Sequence, residues 1–459
     1  MNASFDKFAA RMAADGTPSL VIKTFEKQYQ RLRNGSRGMI PEETILPLQD
    51  TPDFDTLGDF SPAGQKALEK TILVKLNGGL GTSMGLDKAK SLIIAKNGLS
   101  FLDIIARQVL QIRQRTAARL PLIFMNSFST HDDTLAALAK YPALTDGQQG
   151  IPIDFLQHRV PKILAQTLEP VDWPANRSLE WCPPGHGDLY TALITTGILQ
   201  SLLEQGYAYA FVSNADNLGA TLDLNALGFF AGRNIPFMME TADRTAADQK
   251  GGHVARSREG GLLLRESVQC PESDTSAFQD ILKHRYFNSN NLWIHLPSLA
   301  RHMNTCGNIL DLPLIVNRKT ADPKDPASPE VFQLETAMGA AIGLFPEAVA
   351  LRIPRSRFAP VKTTNDLLVL WSDAYQLTED MTLVLHPQRH GKPPLVDLDP
   401  AYYRRINDFT ALFPLGAPSL LHCDRLYVHG KICFDKKMAL KGDVTLNGNI
   451  ADCRMPISE

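Results

Sequence analysis

The 459-residue chain has few of the features that mark a metal centre, a disulfide framework or a membrane span. Its six cysteines (Cys182, Cys270, Cys306, Cys423, Cys433 and Cys453) are scattered, with no CxxC pair and no zinc-type spacing to histidine. They read as reduced thiols in a cytoplasmic protein. No apolar run approaches the roughly 20 residues needed to cross a bilayer. Asp6, Lys7 and Arg11 interrupt any signal-peptide core, so no membrane partner is expected. Charge of one sign is also missing: the formal net charge of −2 gives no support to a nucleic-acid partner. The HExxH and zinc-deaminase arrangements are absent, which removes those metal-dependent hydrolytic chemistries.

What is present is a glycine-rich turn. Ile72-Leu73-Val74 reads as a short buried strand, and Lys75-Leu76-Asn77-Gly78-Gly79-Leu80-Gly81-Thr82-Ser83-Met84-Gly85 follows at once, with Lys90 five residues on. A strand running into glycines leaves backbone N–H groups unpaired and no side chain to fend off a ligand. Such a concavity suits phosphate oxygens, to which Lys90 adds a point charge. The spacing matches neither better-known glycine loop. A dinucleotide fingerprint from Gly79 needs glycine where Met84 stands, and a Walker loop needs Gly-Lys-Ser/Thr. Taken alone, an ordinary strand-to-loop turn remains the favoured reading.

At this length two or three domains are expected. Residues 1–68 read as a helical N-terminal region, because Phe5, Phe8 and Met12, then Val21, Ile22, Phe25, Tyr29 and Leu32, recur at helical spacing. Pro41, Pro47 and Pro52 mark a loop before a helix over Ala63–Lys70. Residues 69–380 alternate strand and helix. Strands are expected at Pro121–Met125, Tyr207–Val212, Phe237–Glu240, Leu262–Ser267, Leu292–Ile294 and Leu351–Ile353. Helices are expected at Ser129–Lys140, opened by a capping serine, and at Leu189–Glu204. The alternation predicts an α/β fold with a substantial parallel component, whose ligands bind outside the carboxyl ends of the strands. Residues 381–459 change character. There Leu426–Phe434, Met438–Leu440 and Gly442–Gly448 alternate apolar residues with glycine, as in one or two rungs of a parallel β-helix or a plain hairpin.

Further motifs bear on chemistry. Trp181-Cys182-Pro183-Pro184-Gly185-His186-Gly187-Asp188 sets a histidine between glycines ahead of a helix. An anion or base contact there competes with the commoner structural histidine. Ser213-Asn214-Ala215-Asp216 ends a buried strand, where Asp216 can hold Mg²⁺ against phosphates or simply close an Asx-turn. Lys362 precedes a Thr/Asn/Asp cap and follows the unusual Pro354–Pro360 loop, which marks a positioned segment over a merely solvated lysine. Lys250-Gly251-Gly252, Asn288–Trp293 and Gln333–Thr336 offer groups for sugar hydroxyls, and serve turns and caps equally well. Together these features suit phosphoryl or nucleotidyl transfer, where positioning and charge neutralisation supply most of the catalysis.

In this order the motifs Lys75–Gly85, Met125–Phe128, Pro183–Asp188, Ser213–Ala220, Lys250–Gly252, Asn288–Trp293, Gln333–Ile342 and Pro354–Leu368 closely resemble those of the eukaryotic-type UTP–glucose-1-phosphate uridylyltransferases (UDP-glucose pyrophosphorylases). The resemblance implies a Rossmann-like nucleotidyltransferase core with a mixed sheet over residues 69–380. It also implies a helical N-terminal region and, within 381–459, a linker and a short C-terminal left-handed parallel β-helix able to mediate self-association. The implied substrates are UTP and glucose 1-phosphate, the products UDP-glucose and pyrophosphate, and the cofactor Mg²⁺.

Carried onto this chain, Leu76, Asn77, Gly78 and Gly79 resemble the nucleotide loop, and Lys90 the lysine on the UTP phosphates. Gln157 matches the uracil-reading glutamine, beside Gly185. His186 would touch the sugar phosphate and Asn214 the glucosyl group. Asp216 would hold Mg²⁺, and Lys362 resembles the catalytic lysine at the α-phosphorus. Gly252, Glu266, Asn290, Asn291 and Glu335 are further candidates for the sugar pocket. Three departures stand out. Lys88-Ala89-Lys90 replaces the family's Gly-Pro-Lys, which is expected to loosen the approach to Lys90 and let Lys88 compete. Ser83-Met84 stands where the N-acetylhexosamine and broad-specificity relatives tend to carry arginine, which favours glucose. The β-helix tail is short, ending in Asp452-Cys453-Arg454-Met455-Pro456. The competing readings are a broader sugar 1-phosphate range and a non-catalytic UTP or UDP-sugar sensor.

Overall fold

The computed structural model describes residues 5–146, 148–245 and 248–448. Its centre is a ten-stranded mixed sheet. Thr71–Asn77 lies between Tyr209–Asn214 and Leu122–Asn126, with Asp154–Leu156 beyond, and all four are parallel. Tyr286–His295 then runs antiparallel to both Tyr209–Asn214 and Phe237–Asp243, and Val349–Ile353 lies parallel beside the latter. His253–Ser257, Leu262–Arg265 and Ile45–Pro47 complete the sheet.

Every residue of Leu122–Asn126 and all but Leu76 of Thr71–Asn77 are buried, as expected for parallel strands covered on both faces. The strand period of two divides them. Ile72, Val74, Ile123, Met125, Ala210 and Val212 join one core with the helices Asp188–Thr195 and Ile198–Glu204. Leu73, Leu122, Phe124 and Phe211 join the other, with Phe101–Thr116 and Leu224–Gly232.

Three local expectations are corrected. The helix expected over Leu189–Glu204 is two helices, because Gly197 takes a left-handed φ of 73° between them. Ser129 caps nothing: the helix is His131–Leu138, and Thr130 Oγ1 instead accepts the Ser127 N–H at 2.9 Å. The strand from Phe237 does not stop at Glu240 but continues to Asp243.

The N-terminal helices Asp6–Ala14 and Ser19–Arg33 bury Phe5, Phe8, Met12, Phe25 and Tyr29 against Val160, Ile163, Cys182 and Leu334. In the C-terminal part, Leu395–Leu398, Ser419–His429 and Ala439–Asn447 pair in parallel. The runs at Met438 and Gly442 are one strand, which passes through Gly442 at φ 67° where the register shifts. Its core, including Leu398, Leu426 and Val428, is continuous with that of the main sheet. Asp452–Pro456 lies outside the described residues. No helix among the described residues is long and apolar enough to cross a membrane.

Candidate active site

The carboxyl ends of Thr71–Asn77, Leu122–Asn126 and Tyr209–Asn214 open onto a cleft of about 310 Å³, the place where open α/β sheets bind ligands. Leu76, Asn77, Gly78 and Gly79 form its floor. The Asn77 amide donates to Asn126 Oδ1 and Thr134 Oγ1, both at 2.8 Å. The Asn126 amide donates to Asp154 Oδ2 at 2.9 Å, and His131 Nδ1 meets the same oxygen at 2.6 Å. Both Asn77 amide hydrogens are therefore committed within the protein.

Gln157 stands over the glycine turn, so close that a β-carbon on Gly78 would meet its amide nitrogen at 2.8 Å. Its backbone N–H donates to Asn126 O at 2.8 Å. The next residue, His158, is fixed by buried Asp188, which takes its N–H at 2.7 Å and its Nδ1 at 2.9 Å. Gly185 adopts φ 80°, and a β-carbon there would fall 2.5 Å from Thr336 O. Only glycine lets this segment lie against the end of the strand Glu330–Glu335. His186 follows; burial pushes its pKa down to about 4, and its Nδ1 accepts the Met338 N–H at 3.0 Å. The ring is thus neutral at pH 7 with its proton on Nε2.

Opposite, Asn214 and Asp216 line the cleft with Lys90. Lys90 Nζ and Asp216 Oδ2 form an ion pair at 2.5 Å, with side chains 17% and 21% exposed. The altered approach to Lys90 is not loose. Ala89 is buried, pairs with Leu80, and holds φ −54°, ψ 126°, a backbone that proline would fix. Lys88 is exposed and does not line the cleft. Asp216 is a single hard oxygen ligand; among the described residues no three His, Cys, Asp or Glu side chains converge as a metal cluster.

The other predicted residues lie outside the lining of this cleft. Lys362 is exposed, with Nζ 6.0 Å from the Phe287 ring, and is tied to the cleft through Val361, whose N–H donates to Asp216 O at 3.2 Å. Gly252 abuts Glu266. Burial pushes the Glu266 carboxyl above its usual range, partly offset by the Asn288 amide and by the Lys362 charge. The Asn288 amide reaches Glu266 Oε1 at 3.4 Å and Asn290 Oδ1 at 2.9 Å. The register shift opposite Glu240/Thr241 makes residues 288–291 a bulge, with Asn290 at φ 58°. Lys362, Gly252, Glu266 and Asn290 thus share one neighbourhood. Asn291 is fully buried beneath it and donates to Glu240 Oε2 at 2.9 Å. Glu335 lines a separate small cavity behind Pro184–Asp188, and burial also raises its pKa.

A buried charge network escaped sequence reasoning. Glu240, fully buried, pairs with Arg357 at 2.6 Å and accepts the Trp293 indole N–H at 3.0 Å. Arg357 thereby anchors the loop before Lys362, and Ala359 N–H donates to Asn217 Oδ1 at 2.9 Å. Lys75 is buried as well. The available signal was a lone charge inside an apolar run, in Leu73-Val74-Lys75-Leu76 and in Met238-Met239-Glu240.

A family model described as UTP–glucose-1-phosphate uridylyltransferase matches residues 22–441. A probable UTP–glucose-1-phosphate uridylyltransferase of Schizosaccharomyces pombe is 39% identical over 396 residues, covering 86% of this chain and 76% of that protein. A mutant UDP-glucose pyrophosphorylase of Leishmania major, solved in complex with UDP-Glc, aligns with TM-score 0.92 at 46% identity, covering 97% of this chain and 94% of the other. A UDP-glucose phosphorylase of Trypanosoma brucei aligns with TM-score 0.89 at 44% identity, covering 97% and 95%. The chain belongs to the UTP–glucose-1-phosphate uridylyltransferase family of nucleotidyltransferases.

Proposed function

We propose that the chain transfers a uridylyl group from UTP to glucose 1-phosphate, giving UDP-glucose and pyrophosphate, by a single in-line displacement. The observation that carries this reading is the meeting of Gln157, Gly185, His186, Asn214, Lys90 and Asp216 in one cleft at the parallel strand ends. Gln157 and Gly185 read the uracil, and the N–H groups of the glycine turn take phosphate oxygens. Neutral His186 donates from Nε2 to the sugar phosphate. The attacking phosphate oxygen is already anionic at neutral pH, so no general base is required. Charge accumulates at the α-phosphorus, and Lys90 and Lys362 offset it. Lys90 exchanges Asp216 for the phosphates in doing so.

The Asp216 carboxylate fits Mg²⁺, which prefers one or two carboxylates alongside phosphate oxygens. When bound, the ion neutralises phosphate charge. Gly252, Glu266 and Asn290 take the glucose hydroxyls, with Asn291 supporting them from beneath; Glu335 supports the site from the other side, beside Gly185. We read the three parallel C-terminal strands as part of a left-handed β-helix whose Ala439–Asn447 edge pairs with a second copy. A cytoplasmic setting is consistent with Cys182, Cys270, Cys306 and Cys423, none of which is in a disulfide.

Pyrophosphate release from UTP, measured with glucose, galactose and N-acetylglucosamine 1-phosphates in turn, tests the reading. Glucose 1-phosphate is expected to be fastest. Equal rates would establish a broader sugar range. Tight UTP binding without pyrophosphate release from any sugar would overturn the enzymatic reading in favour of a sensor.

A further inference from the structure

Lys75 is the only charged residue on Thr71–Asn77, and it is 3% exposed. Its Nζ donates to Ser213 Oγ at 2.7 Å and to Ala220 O at 2.9 Å. Ser213 is its register partner on the neighbouring parallel strand. Between Ser213 and Ala220 the chain turns through Asn214 and Asp216, so a single amine ties the start of that turn to its finish.

The turn has other ties. Ala215 N–H donates to Leu76 O at 3.0 Å, and Gly219 N–H to Asn217 Oδ1 at 3.2 Å. Neither of these spans the whole turn. The two bonding partners of Lys75 are a hydroxyl and a carbonyl. The buried carboxylate near it, Glu240, is engaged by Arg357. Burying an amine without an ion-pair partner is costly. Burial, reinforced by the Arg357 charge and opposed by Glu240, pushes its pKa down to about 7. Both bonds survive deprotonation, because a neutral amine keeps two N–H donors. A buried methionine would fill the same space without that cost, so the amine is there for its two bonds.

We propose that Lys75 is a positioning residue for the transfer reaction: by bridging Ser213 Oγ and Ala220 O it sets where the Asn214 amide and the Asp216 carboxylate stand. The inference deepens the uridylyltransferase reading and rests on it.

Lys75→Met keeps the apolar stem and removes both bonds, whereas Ser213→Ala removes one. Two metal-free readouts separate positioning from general support: uridine binding by NMR titration, which probes the Gln157 end, and UDP-glucose binding by calorimetry. Lys75→Met is expected to leave uridine binding unchanged and to weaken UDP-glucose about tenfold, and Ser213→Ala to weaken it about threefold. In the Lys75→Met background, Ser213→Ala is expected to add nothing further. Equal weakening of both ligands, or of neither, overturns the proposal. If Lys75→Met does not fold, unchanged UDP-glucose binding by Ser213→Ala overturns it alone. Failure of the underlying reading shows separately, as a wild-type protein that neither binds UDP-glucose nor releases pyrophosphate, and it takes this proposal with it.

Discussion

The two walls of the site are built by different means. The first wall, proposed to take the nucleotide and so called the nucleotide wall, is the rim of parallel strands, where Asn77 and Asn126 link two carboxyl ends to each other and to Asp154 at the start of the next strand. The second wall, proposed to take the sugar and so called the sugar wall, rests on the reversed strand Tyr286–His295 and its neighbour Phe237–Asp243, tied together by Glu240, Arg357, Asn291 and Trp293. A rim of amides yields in steps, because each hydrogen bond contributes about 1 kcal/mol. A buried ion pair is all or nothing: removing one partner strands the other charge. The difference also divides the chemistry. The first wall lines the cleft with the glycine turn and with side chains such as Gln157, His186 and Lys90, while the second positions the loop that carries Lys362.

The contrast can be broken experimentally. Lys362→Ala is expected to lower turnover by about 10²- to 10³-fold with folding unaltered. Near-normal turnover at saturating substrates would remove Lys362 from the chemistry and make the second wall a binding surface only. Arg357→Met leaves Glu240 buried and uncompensated, so urea denaturation should register a loss of about 3–5 kcal/mol. Asn77→Ala on the nucleotide wall should lose about 1–3 kcal/mol; equal losses from the two variants would erase the distinction. Asp216→Asn should raise the Mg²⁺ concentration needed for half-maximal rate, and an unchanged metal dependence would put the ion elsewhere.

A further expected effect is on pH dependence. Burial depresses the His186 pKa from its ordinary 6.5 to about 4, and lowers His253 and His284 in the same direction. Between pH 6.5 and 4 the unfolded chain therefore holds more protons at these rings than the native one. Stability rises with pH across that window and is lost as pH falls through it. Melting temperatures should fall in step with pH there, less steeply for His186→Asn; a flat profile contradicts the assignment.

The nucleotide wall was legible in the sequence because its elements are local. A strand, its terminal loop and the lysine closing it all lie within Ile72–Lys90, and the period of two places the core. Gln157, Gly185, His186, Asn214 and Asp216 likewise sit at element ends, where the sequence carries turn signals. The sugar wall was legible only in part. Asn288–Asn291 was visible as a polar cluster, but its bulge depends on the register against Phe237–Asp243, some 50 residues away in the chain. The same holds for Glu240, which looked like the end of a strand and is its middle. Its partner Arg357 comes from a segment with no local sign of burial. Ala89 shows the converse: the missing proline predicted looseness, and a tertiary contact with Leu80 supplies the conformation instead.

Strand lengths carry one more consequence. Tyr286–His295 has ten residues against six in Tyr209–Asn214. Pairing Tyr209 with His295 and Val212 with Leu292 leaves Tyr286–Asn291 projecting past the shared ladder, roughly 20 Å of backbone at about 3.4 Å per residue. The sheet thus grows an awning at one corner, braced from the far side by Phe237–Asp243. Shelter at that corner is a matter of how many residues a strand has. Shortening it by two residues would keep the pairing with Tyr209–Asn214 and remove Tyr286 and Phe287 from their places opposite Asp243 and Ala242.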